Sequence, residues 1–204
     1  AISPLILISI GAGLTIPFVN LFFNSIFNFS SSDFSIMGSG TAVLVFFSSL
    51  MVPTLKHKYG YWMTIVFVQG LSICCLITLA ITELFATSHY AIYFAVSAFI
   101  LRQPLMHMAH PSSNELMMNY VGERNQELIS ALSSSLWSAS WFISAKIFEW
   151  LRLLKFHYYE IFLITAVLYI FGVILYAVII RQFEKMKKME KDNVITLSEE
   201  LKID

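Results

Sequence analysis

The chain has 204 residues, of which 57 % are apolar and 13 % charged, and its 13 basic and 13 acidic side chains cancel. Soluble domains carry about 25 % charged residues, and one of this size has too much surface to hide the apolar excess, so lipid is the natural solvent. The zero net charge excludes nucleic acid as the main partner, because that partner needs a basic face.

A spanning helix needs about 20 mostly apolar residues to cross a hydrocarbon core of ~30 Å. Six stretches satisfy this, and they predict an all-α membrane protein built as a six-helix bundle over residues 1–181. The first, 2–27, is uncharged and contains Gly11, Gly13 and Pro17, breakers that neighbouring helices can cover in lipid. The second, 35–55, and the third, 61–82, are also uncharged, and Tyr61 and Trp62 stand at one end of the third as interfacial anchors. The fourth, 90–118, holds Arg102, Pro104, His107, His110, Pro111 and Glu115. The fifth, 126–150, carries Lys146, and the sixth, 158–180, is uncharged apart from Glu160 near its start. Short loops join them, and the charged tail 182–204 is expected to prolong the last helix for a few turns and then fray. The start at Ala1 rather than Met is what a fragment or a processed product would show.

Lysine and arginine set the orientation. One set of loops and the tail hold Lys56, Lys58, Arg124, Arg181, Lys185, Lys187, Lys188 and Lys191, whereas the opposite loops hold Arg152 and Lys155. This bias predicts a cytoplasmic tail. Asn28-Phe29-Ser30 is a glycosylation sequon on the opposite side.

Motifs of soluble enzymes are absent: there is no Gly-rich phosphate loop, no His-Glu-x-x-His and no nucleophile elbow. No enzyme activity and no cofactor are expected. Cys74 and Cys75 are adjacent within an apolar run, with no zinc or haem spacing. His107 and His110 share a helix face, but neither Glu115 nor His57 is placed to complete a metal site.

Ionisable residues at bilayer depth carry the functional signal, because each costs at least ~2.5–3.5 kcal/mol to insert. Arg102 lies twelve residues beyond Tyr90, near mid-depth, and suits either an anionic solute or a structural pair. His107 and His110 are candidates for proton handling. Glu115 is expected to pair with Arg124 or Lys58 near the cytoplasmic end. Trp137 and Trp141 form one aromatic face amid Ser133, Ser134, Ser135, Ser138 and Ser140, and Asn20 and Asn24 form a polar stripe on the first helix.

Four passages in this order resemble the C-terminal six-helix half of a major facilitator superfamily transporter. Gly11-Ala12-Gly13-Leu14-Thr15-Ile16-Pro17-Phe18 is similar to its seventh helix, and Pro53-Thr54-Leu55-Lys56-His57-Lys58-Tyr59-Gly60 to the loop between its eighth and ninth. Arg102 to Pro111 resembles the tenth helix, and Glu123-Arg124 with Ala131-Leu132-Ser133 and Trp137 resembles the loop into the eleventh. Two departures stand out. His57 and Lys58 replace the aspartate and arginine of the loop, and Ser144-Ala145-Lys146 replaces a late Gly-Pro.

The resemblance implies half of a secondary carrier that works by alternating access, with a second six-helix half as partner and a small solute bound between them. It places Arg102, Asn20, His107, Trp137 and Trp141 at a substrate cavity, and His110, Glu115, Lys58 and Arg124 at gating or proton-coupling positions. Arg102 suggests an anionic solute. The competing expectation is a non-transporting membrane subunit packed in a larger complex.

Overall fold

A computed structural model describes residues 2–122 and 125–200, and the side chains of all of these except 190, 191 and 194–200. The described residues form helices and no strand. Three helical stretches, Ser3–Phe27, Ser31–Phe85 and Tyr158–Met189, are long and apolar enough to cross a membrane.

The first stretch is two helices, α1 (Ser3–Thr15) and α2 (Val19–Phe27). Pro17 has no N–H to continue the ladder, and the Phe18 N–H turns back to the Thr15 carbonyl at 3.1 Å. α2 ends at Asn28, whose φ of 55° is left-handed. Ser30 then caps α3 (Ser31–Tyr61) through a reciprocal box, its hydroxyl accepting from the Asp33 N–H while the Asp33 carboxylate accepts from the Ser30 N–H.

The loop expected over Lys56–Gly60 is helical instead, and the chain breaks at a single residue. Gly60 has φ +71° and ψ −171°, a conformation that side-chain-bearing residues rarely adopt. The third segment follows as a π-helical stretch (Trp62–Phe67), α4 (Val68–Ile81) and a 3-10 turn (Thr82–Phe85). α5 (Ala91–Val121) and α6 (Gln126–Leu153) have 31 and 28 residues and are not among those three stretches. α7 (Tyr158–Glu200) has 43 residues. It does not fray after a few turns but runs on as one helix through most of the expected tail, where charged side chains at frequent intervals keep good helix propensity.

The helices pack in a regular pattern. α1 lies against α6 and α7, α5 lies against α3 and α4, and α4 meets α7. Exchanging α1 with α5, α3 with α6 and α4 with α7 maps these five principal contacts onto one another, whereas a smaller α5–α6 contact has no α1–α3 counterpart of like extent. The interior is filled by side chains such as Phe22, Phe23, Leu76, Leu79, Phe162 and Tyr169, all essentially inaccessible.

In lipid such packing rests on shape complementarity and hydrogen bonds rather than on the hydrophobic effect. The α1–α6 crossing has both. A Cβ on Gly13 would lie 2.6 Å from the Ser144 Cβ, and Ser144 Oγ donates to the Ile10 carbonyl at 2.8 Å. α3 contributes only Thr41 and Val52 as buried residues and forms an outer wall.

Candidate functional site

The α5 sequence places Gln103, Met106, His107, His110 and Asn114 at spacings of three and four, which is one face of a helix. That face borders a cavity of about 380 Å³. α1 closes one side with Leu5, Ile8 and Ala12, together with Ile16 just past its end, and Ser49, Gln69, Trp137 and Tyr176 come from α3, α4, α6 and α7. A second recess of about 270 Å³ shares His110, Asn114 and Trp137 and extends along Ser133, Ser134 and Ser138 of α6.

Local contacts orient the polar groups. Asn114 Nδ2 lies within hydrogen-bond distance of His110 Nδ1, at 3.3 Å. The His110 ring stands perpendicular to Trp137, with centroids 5.5 Å apart. Gln69 is only 5 % exposed, and its Oε1 has no hydrogen-bond partner among the described residues. No Asp, Glu, Lys or Arg is among the described residues that line the cavity.

Of the five residues expected at a substrate cavity, His107 and Trp137 line this one. Arg102 does not. It is 1 % exposed and turned toward α7, where Nη2 donates to the Tyr169 hydroxyl at 3.4 Å and the guanidinium lies 5.9 Å from the Tyr169 ring centroid. Its Nε has no partner among the described residues. The partner of Arg102 across the helices is a phenol rather than a carboxylate. Asn20 is also elsewhere. The Pro17 break re-aims α2, and Asn20 borders a separate recess with Asn24 and Ser31. Trp141 packs on Trp137 at 6.4 Å, outside the cavity wall.

The gating candidates divide similarly. His110 is in the cavity. Glu115 pairs with Lys56, not with Lys58, and its Oε1 also accepts from the Tyr61 hydroxyl at 3.1 Å. Asn119 Nδ2 donates to the same hydroxyl at 3.1 Å. Lys56 and Lys58 are two residues apart and so about 200° apart around the helix, which allows only one of them to face α5. Lys58 lies over the Tyr59 ring, 5.1 Å from its centroid. Arg124 lies outside the described residues. Lys146 pairs with Glu149 at 2.9 Å on the exposed face of α6.

Gln69, Gln103, Asn114 and Tyr176 were not legible as site residues by a search for charge. A usable signal exists for Gln69, which is the sole amide in the apolar run 61–82. Among the described residues, no three of the His, Cys, Asp and Glu side chains cluster as metal ligands would. Compared with models of protein families, with curated proteins and with solved structures, the chain matches none of them.

Proposed function

We propose that the chain is one six-helix half of a secondary transporter that moves a small solute by alternating access. The carrying observation is the cavity beside α5, whose largely apolar wall carries a band of polar side chains. His107 and His110 are exposed there, and Ser133, Ser134 and Ser138 continue the polar surface along α6. Polar side chains at bilayer depth face a water-filled cavity or a protein partner, not lipid. A second six-helix half, in the same polypeptide or as a second copy, is the cover this reading supplies.

The packing pattern supports the arrangement. Principal contacts that survive exchange of the first three segments for the last three, as the five largest here do, are what a three-plus-three repeat produces. With an odd number of segments, two such repeats run in opposite directions through the membrane. The major facilitator superfamily has this plan, and the motifs around Gly13, Gly60, Arg102 and Trp137 are similar to its members. In this reading the six segments all span, the tail is cytoplasmic, and the Lys56–Glu115–Tyr61–Asn119 cluster ties three segments together at the cytoplasmic end as a gate.

The test is the mass of the native unit in mild detergent, measured by native mass spectrometry. A unit of roughly twice 23.3 kDa, as one chain or as a dimer, is the expected result. A stable unit containing a single six-helix bundle and nothing else would refute the reading.

A further inference from the structure

We propose that the cavity binds an uncharged, hydroxyl-rich solute of monosaccharide or polyol type, not the anion that Arg102 suggested in the sequence. The inference rests on the transporter reading for the cavity's purpose, but its chemistry comes from the lining. An anion entering this space would meet no exposed Lys or Arg on this wall, since Arg102 is buried against Tyr169 and reaches the cavity only through its field on His107. A cation would meet no carboxylate among the described residues that line it. Neither charge would find a counter-charge on the wall that this half supplies.

What the lining offers is neutral and two-sided. Gln69 Oε1 is a buried acceptor with no partner, so it calls for a donor on the ligand. The Gln103 and Asn114 amides and the His107 ring add both donors and acceptors. Hydroxyl groups donate and accept, and so match such a set without a net charge. Trp137 supplies a flat apolar surface for the C–H face of a ring, and the cavity's 380 Å³ lies within the ordinary range for small-molecule sites.

Gln69→Leu separates binding from folding. It removes an amide whose buried oxygen is already unpaired, so no hydrogen bond to that oxygen is lost. Trp137→Phe keeps a ring but shortens the platform. The native protein and both variants are titrated in detergent with glucose, xylose and sorbitol, with succinate and phosphate, and with choline. Tryptophan fluorescence reports binding, and counterflow in proteoliposomes reports carriage.

Saturable binding of a neutral solute, weakened at least tenfold in Gln69→Leu at unchanged melting temperature and more modestly in Trp137→Phe, is the expected result. Neutral binding that both variants leave intact overturns the site. Binding of only succinate, phosphate or choline overturns the solute class while leaving carriage standing if those solutes exchange. Neutral binding without counterflow of any solute sustains the class and refutes the transporter reading. Neither binding nor exchange of any of the six refutes both.

Discussion

Gly13→Ala is the sharpest probe of how the bundle is built. The added Cβ would sit 2.6 Å from both Cβ and Oγ of Ser144 and 3.3 Å from the Ser140 carbonyl oxygen. Carbon atoms pack at about 3.5–4.0 Å, so α1 and α6 must separate by roughly 1 Å or distort. Ser144 cannot swing aside, because it is fully buried and its hydroxyl holds the Ile10 carbonyl. Overpacking of this kind costs about 1–3 kcal/mol. Losing the hydrogen bond adds about 1 kcal/mol.

Thermal unfolding in mild detergent, followed by tryptophan fluorescence, measures the cost. Ser144→Gly opens the space that the new methyl needs, so the double variant Gly13→Ala, Ser144→Gly is more stable than the two single costs add up to. A coupling of about 1 kcal/mol or more is expected for residues in direct contact. Ser144→Ala gives no such rescue, because it keeps the Cβ at fault. Strict additivity with Ser144→Gly, or equal rescue by both, would show that the two helices do not cross at this point.

Two further predictions concern backbone and charge. Gly60→Ala forces a side chain into a φ of +71° and should cost about 1–2 kcal/mol, read as a lower melting temperature, although nothing lies within 4 Å of the new methyl. Arg102→Met combined with Tyr169→Phe removes both partners of a buried, carboxylate-free contact. The double variant should melt at or above the wild-type temperature and bind solute as the wild type does. A loss of more than about 2 kcal/mol would reveal a counter-charge on Arg102.

The architecture was legible where uninterrupted apolar sequence starts and stops. Helices begin at Gln126 and Tyr158, where the short polar connections end. The Ser30–Asp33 capping box is also written in the sequence, where it overlaps the Asn28-Phe29-Ser30 sequon. Less legible was the exact place of each break. Lys56–Gly60 is polar enough to read as a loop, yet one glycine makes the whole turn. The tail reads as a fraying end, yet charge does not oppose a helix, and α7 continues into it as far as Glu200.

Within the site, helical spacing joined His107 to His110, and Trp137 to Trp141. It did not say which way Arg102 turns. That depends on Tyr169, 67 residues away in sequence, and no pattern local to α5 contains it. A search for ionisable groups at bilayer depth also passed over Gln69, Gln103 and Asn114. Amides are cheaper to insert than charges and so stand out less, but they line the cavity.

Thiol accessibility in the membrane tests the central claim most directly. In a background with Cys74 and Cys75 changed to Ala, His107→Cys lies in the cavity and Phe171→Cys on the exposed apolar face of α7. A membrane-impermeant methanethiosulfonate reagent attacks only thiolates, which need water. If the cavity is a water-filled path open to one side at a time, His107→Cys reacts from either side of the vesicle and bound solute slows it, while Phe171→Cys stays inert. Equal inertness at both positions would mean that the cavity is closed by lipid or protein, and that the chain does not carry a solute through it.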